Sequence, residues 1–123
     1  YFGAISGSDE NASATSIDKV FIQKVLTYVN NNMSDSNLSV ESLASELSLS
    51  RSQLYRKVKS LTGQTVNEFV RKLRLERAKQ ILQTENANVS EVCYKVGFSS
   101  PSYFTKCFKA HFGILPTEAQ PRD

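Results

Sequence analysis

The chain has 123 residues, 40% of them hydrophobic and 22% charged, with a formal charge of +3 and two cysteines. That length holds about one small domain or two very small ones, no stretch approaches the roughly 18 consecutive apolar residues of a membrane span, and two cysteines exclude a disulfide-stapled secreted scaffold. Without an initiator Met or a signal-peptide pattern, and with Tyr1 and Phe2 running into a Gly/Ser/Asn segment, the start reads as a cut inside a longer protein. The charge is segregated. Residues 1–50 carry six acids against Lys19 and Lys24, a net of −4, whereas residues 51–123 carry thirteen Lys/Arg against six acids, a net of +7. Such a distribution points to a polyanion as partner of the later part, although a solvated helical surface has the same composition.

In chain order, residues 3–16 are small and polar without a hydrophobic period, and residues 1–16 are expected to be a linker. From Ile17 the spacing of Val20, Phe21, Val25, Tyr28 and Val29 predicts a helix that ends at the Asn30–Asn32 run. No later segment sustains a two-residue alternation, and three Pro and five Gly interrupt the chain, so the fold class is all-α. Ser39 precedes a short apolar pattern of Val40, Leu43, Ala44 and Leu47. Ser50 with Gln53, Thr65 with Glu68, and Asn88 with Glu91 each match a capping box, in which two side chains satisfy orphan backbone donors reciprocally. Gly63 and Gly113 stand where helices opened at Ser50 and Ser100 should stop, and Pro101 fits the first position of the later one.

A shift of fifty residues superposes 51–68 on 101–118. Ser52/Ser102, Lys59/Lys109, Gly63/Gly113 and Glu68/Glu118 are identical, and Leu54/Phe104, Arg56/Lys106 and Val58/Phe108 are alike. At a shift of 49, Leu43, Ala44, Leu47 and Leu49 match Val92, Cys93, Val96 and Phe98, which puts a one-residue insertion in a turn, where it costs least. Each copy is a short helix, a tight turn and a longer helix: the helix-turn-helix arrangement, expected over about residues 38–63 and 88–113. Between them, about residues 66–84 form a linking helix of roughly 28 Å, comparable with the roughly 34 Å turn of B-DNA. Its stripe is Leu73, Leu75, Ala78, Ile81 and Leu82, and Arg71, Lys72, Arg74, Arg77 and Lys79 make it basic.

The faces of the second helices carry the functional argument. With Leu54, Val58 and Leu61 inward, Ser52, Arg56 and Lys59 point out, flanked by Gln53 and Tyr55. With Phe104, Phe108 and His111 inward, Ser102, Lys106 and Lys109 point out beside Tyr103 and Thr105. Neither outward face holds an acid, unlike the mixed charge of an ordinary surface helix. The expected base-contacting residues are therefore Ser52, Gln53, Tyr55, Arg56, Ser102, Tyr103, Thr105 and Lys106, and the expected phosphate-contacting residues Arg51, Lys57, Lys59, Lys72, Arg74, Ser100 and Lys109. Two rivals remain at this point, a helical module that docks a protein and a nucleic-acid binder without sequence preference. Cys93, Cys107 and His111 are the soft metal ligands, but without a Cys-x2-Cys pair or a second His no metal or other cofactor is expected. No nucleophile with an orienting acid, phosphate loop or paired carboxylates marks an enzyme.

Taken together, Arg74 to Ala78, Val96-Gly97-Phe98, Ser102 to Phe104, Phe108-Lys109, Phe112-Gly113 and Pro116 resemble the AraC/XylS-type DNA-binding domain over about residues 17–119. Residues 50–59 and 63–69 are closest to the output domain of hybrid two-component regulators, which fuse sensor, histidine kinase and receiver in one chain. The resemblance implies about seven helices, two helix-turn-helix subdomains on a long central helix, and contact positions Ser52, Tyr55, Arg56, Ser102, Thr105 and Lys106. It further implies a cytoplasmic bacterial transcription regulator that acts on promoter DNA with RNA polymerase as partner. The parent, either cytoplasmic or anchored in the inner membrane, would receive its signal by phosphorelay through an upstream receiver domain, form a homodimer at full length, and make no membrane contact through this part. Ala119 departs from the family, which often has an aromatic there, and Pro121 cuts the last helix short.

Overall fold

Seven helices and no strand make up the described residues, 12–35 and 38–121, of the computed structural model. They are α1 (Ala12–Asn31), α2 (Val40–Glu46), α3 (Arg51–Thr62), α4 (Val66–Thr84), α5 (Val89–Lys95), α6 (Pro101–Phe112) and α7 (Pro116–Ala119). The described residues gather into two compact units, one within 12–31 and 39–66, the other within 32–35, 38 and 67–121. Each contains one helix-turn-helix, and the long central helix, α4, belongs almost entirely to the second.

In the first unit α1 begins at Ala12, five residues before the expected start at Ile17. Ala12 and Ala14 are strong helix formers, and helix propagation through a polar segment requires no buried stripe. The rest of the expected linker, residues 1–11, lies outside the described residues. The buried stripe of α1 is Phe21, Ile22, Val25 and Val29. Val20 was expected on it and is 55% exposed. Ile22 stands at i−3 from Val25 and completes the stripe, while Val20 lies about 100° behind Phe21 and faces away. Ser39 opens α2 with a capping box in which Ser42 replaces the usual Glu or Gln: the Ser42 N–H donates to Ser39 Oγ at 3.0 Å and the Ser39 N–H to Ser42 Oγ at 3.1 Å. Leu43 and Ala44 are buried from α2, Leu54 and Val58 from α3.

In the second unit α4 buries Phe69, Leu75, Ala78, Ile81 and Leu82, while Leu73 is half-buried. Asn88 and Glu91 close the box that opens α5, with bonds of 2.8 and 3.1 Å. A ladder of aromatic rings fills the core behind α6, Phe98–Phe104, Phe104–Phe108 and Phe108–Phe112, with centroids 5.1, 5.8 and 4.7 Å apart. His111, expected inward, is exposed. Phe112, four residues after Phe108, takes the inward direction, and the imidazole meets its ring edge-on at 4.6 Å. At the C-terminal end, the Leu115 N–H donates to Glu118 Oε1 at 2.7 Å and opens α7. Gln120 Nε2 then donates to the Ala87 carbonyl at 2.8 Å, which anchors the tail although Ala119 brings no aromatic ring.

The duplication is written in the backbone. Leu47 N–H bonds the Leu43 carbonyl and Val96 N–H the Val92 carbonyl; Leu49 bonds Ala44 and Phe98 bonds Cys93, all at a shift of 49. Both turns pass through a positive φ at equivalent positions, Ser48 at 57° and Gly97 at 99°. Beyond the turn the shift becomes 50, with Leu54 to Ser50 and Phe104 to Ser100, and it persists to Gly63 and Gly113 at φ 75° and 78°. The extra residue is thus Ser99, between the turn and the N-cap. In the second unit a Cβ on Gly97 would overlap the Met33 carbonyl oxygen and stand 2.8 Å from the Arg74 guanidinium carbon. That guanidinium in turn donates from Nη2 to the Asp35 carbonyl at 3.1 Å, so the 32–38 segment, α4 and the second turn meet at one point.

Candidate nucleic-acid interface

α3 and α6 are each the second helix of a helix-turn-helix, twelve residues long, without Asp or Glu. Because Leu54/Val58 and Phe104/Phe108 are buried at i, i+4, the opposite side of each helix is left to solvent. On α3 this side exposes Ser52, Gln53, Arg56 and Lys59, with Tyr55 and Lys57 half-buried; on α6 it exposes Ser102, Tyr103, Lys106 and Lys109, with Thr105 half-buried. Each unit therefore brings its own expected base-contacting residues onto one surface. Oriented backbone dipoles add partial positive charge at both helix N-termini.

The side chains of these surfaces are not equally available. Arg56 and Lys106 occupy equivalent positions of the duplication, and their side chains, like that of Lys109, make no hydrogen bond or ion pair with any described residue. Gln53 spends its carbonyl oxygen on the Ser50 N–H at 2.9 Å, which leaves only its amide donors for a ligand. Ser100 accepts the Tyr103 N–H at 3.3 Å as N-cap and lies 3.2 Å from the Ser102 hydroxyl. Tyr103 is 50% exposed with its ring 6.0 Å from Phe98.

Several residues expected on phosphate have local partners. Arg74 has the most extensive of these local ties: its half-buried guanidinium donates to the Asp35 carbonyl, its Nε is buried without a partner, and burial lowers its pKa, with Asp35 acting against that shift. Lys57 places Nζ 4.9 Å over the Phe21 ring of α1. Lys59 donates to the Gly63 carbonyl at 3.0 Å, where a cation also suits the negative end of the α3 dipole. Arg51 pairs with Glu41 at 3.0 Å and donates to the Tyr55 hydroxyl at 3.2 Å. Lys72 is half-buried on α4. Lys79 lies over the Phe112 ring at 4.7 Å, and Arg77 donates to Gln80 at 2.8 Å.

Sequence reasoning missed two features. Glu41 reaches Arg51 across the first turn; the signal was there in the duplication, which aligns the pair with Ser90 and Pro101 and so makes it unique to one copy. Tyr94 on α5 is 53% exposed, a large ring on the side of the second turn that carried no motif. The soft ligands do not gather: Cys93 is fully buried, His111 is exposed, and no three His, Cys, Asp or Glu side chains form a metal cluster among the described residues. Burial pushes the Cys93 thiol up, whereas Cys107 is half-buried. The thiolate is the reactive form, so alkylation at pH 8 should label Cys107 first and Cys93 only on opening of the core. Mass spectrometry against time checks this; equal rates would contradict the burial. Among the described residues no helix is long and apolar enough to cross a membrane.

A family model described as a helix-turn-helix domain matches residues 43–122. The chain is 41% identical over 108 residues to histidine kinase P4 of Formosa agariphila, a match covering 88% of this chain and 8% of that protein's length. Among solved structures, it is similar to the C-terminal domain of AraT, a response regulator from Geobacillus stearothermophilus. That match has a TM-score of 0.73 at 27% identity and covers 80% of this chain and 82% of the other. It is also similar to the DNA-binding domain of AdpA, a global transcriptional factor solved in complex with a target DNA. There the TM-score is 0.72 at 27% identity, over 78% of this chain and 86% of that one.

Proposed function

This chain belongs to the AraC/XylS-type helix-turn-helix family, and on that premise we propose that it binds double-stranded DNA sequence-specifically, as the output part of a bacterial transcriptional regulator. The observation that carries the reading is the duplicated pair of acid-free helix faces, each centred on an unengaged cation, Arg56 on α3 and Lys106 on α6. An acid-free face with a guanidinium, an ammonium, hydroxyls and amide donors matches what a major groove offers: acceptors on guanine and adenine edges between two rows of phosphates. Ser52, Tyr55 and Arg56 are assigned to bases in the first unit, Ser102, Thr105 and Lys106 in the second. Gln53 and Tyr103 flank them, and Lys59, Lys109 and the Ser100 cap serve phosphate.

The likeness to histidine kinase P4 and to the C-terminal domain of a response regulator supports a two-component parent. In it, kinase and receiver parts precede this domain, phosphorylation upstream controls DNA binding, and a homodimer places two copies on a promoter beside RNA polymerase in the cytoplasm. This part itself performs no catalysis in that scheme.

Selection of binding sites from a random duplex pool tests the reading. A defined motif with two half-motifs about one helical turn apart is expected if both units engage. Retention of random and selected duplex alike would reduce the activity to unspecific binding, and no retention at all would favour protein docking instead. Salt provides a second measurement. Lys109→Ala should make the dependence of log K on log salt shallower by about 0.9, because one phosphate contact and its released counterion are lost; an unchanged slope would remove Lys109 from the phosphate set.

A further inference from the structure

The first helix-turn-helix contains a chain of contacts that the second lacks. Arg51 stands at the first position of α3 and extends back across the turn to Glu41 in the first turn of α2, Nη1 to Oε2 3.0 Å. Its other terminal nitrogen donates to the Tyr55 hydroxyl at 3.2 Å, and its guanidinium carbon stands 5.7 Å from the centre of the Tyr55 ring. At the duplicated positions the second unit has Ser90, Pro101 and Thr105, which can build none of these contacts.

We propose that Glu41 is a specificity-determining residue that acts without touching DNA: it holds Arg51 against Tyr55, which keeps the Arg51 charge from serving as an unspecific phosphate ligand and presents the Tyr55 hydroxyl to the groove in one orientation. The inference rests on the DNA-binding function proposed above. Its chemistry follows from the donor count. Tyr55 accepts the Arg51 N–H on its oxygen, so its own O–H proton is directed to an outside acceptor, such as a base edge. Arg51 is gripped from two sides, and the bond to Tyr55 followed by the charge of Glu41 raises its pKa above the ordinary value. Moving Arg51 to a phosphate therefore breaks the carboxylate pair, the hydroxyl bond and the ring contact together. Both charged side chains are more than half exposed, so the pair contributes little to folding. Its effect is on which cations meet DNA, where one more phosphate contact changes affinity several-fold at ordinary salt.

The experiment is a double-mutant cycle of Glu41→Gln and Arg51→Gln in the 123-residue chain, read as affinity for the selected site and for random duplex over a salt series. Glu41→Gln should tighten random-duplex binding several-fold and steepen its salt slope by about 0.9. It should also lower the ratio of selected-site to random affinity, with the melting temperature nearly unchanged. In the Arg51→Gln background the same Glu41→Gln substitution should do nothing, because Glu41 acts through Arg51. Equal effects in both backgrounds would show that Glu41 simply repels phosphate, and no effect in either would show that it is a bystander; both overturn the inference. The unsubstituted chain separates this from the broader reading. If it fails to discriminate selected from random duplex, the function fails and this inference with it; if it discriminates and the cycle shows no coupling, only the role of Glu41 falls.

Discussion

Arg56→Ala is expected to weaken binding to the selected site by about 1–3 kcal/mol, or about 5- to 150-fold, while random-duplex affinity falls much less. Arg56 is exposed at the middle of α3 on a helix without acids and without a partner among the described residues, so its five donors are uncommitted. A guanidinium fork matches the O6 and N7 acceptors of guanine, and the loss should relax the preference at one base position of the motif. Arg56→Lys should recover charge but not the fork, restoring unspecific affinity more than selectivity. Competition binding with single-base variants of the selected site measures both. A loss of equal size for every sequence would place Arg56 on phosphate instead, and no loss would remove α3 as a reading helix.

Gly97→Ala should destabilise the second unit by about 2–6 kcal/mol, from about 1–3 for a side chain in a disfavoured backbone region and a similar amount for overpacking. The positive φ of 99° is one cause, and the space is the other: the added Cβ would overlap the Met33 carbonyl and press on the Arg74 guanidinium. That guanidinium cannot retreat freely, being half-buried and bound to Asp35. A fall in melting temperature of roughly 10 °C or more follows for a unit of this size. The equivalent Ser48→Gly in the first turn should change stability by no more than about 1 kcal/mol, since it removes a strained side chain at φ 57°. A melting temperature for Gly97→Ala within about 2 °C of the parent would mean that the 32–38 segment yields, and that the Arg74 tie is weak.

These two residues also mark what can be read from sequence. Arg56 was legible because its direction depends only on which neighbours at i−2 and i+2 are buried, and Leu54 and Val58 announce that by type. The importance of Gly97 in the second turn was visible in its family motif, but its crowding was not. That arises from Met33 and Arg74, 64 and 23 residues away, brought to the same point by packing. Arg74 was expected on phosphate from its charge alone: although Leu73 and Leu75 flank it, nothing local shows that the Asp35 carbonyl comes to lie against its guanidinium. His111 and Phe112 illustrate a smaller limit, since either could follow Phe108 inward, and the larger apolar ring won.

From sequence alone came the all-helical class, the starts of α2, α3, α5 and α6, the stops at Gly63 and Gly113, the duplication and the two acid-free faces. Caps and apolar periods are local properties, decided within about one or two helical turns of chain, and the duplication is read by comparing two such local patterns. Tertiary structure decided which cations remain available to a ligand. Lys57 went to the Phe21 ring, Arg74 to Asp35 and Arg51 to Glu41 and Tyr55, while Arg56, Lys106 and Lys109 stayed unengaged among the described residues. A long flexible cation takes whatever ring, carbonyl or carboxylate lies within its reach, and those partners come from segments whose proximity exists only once the chain has folded.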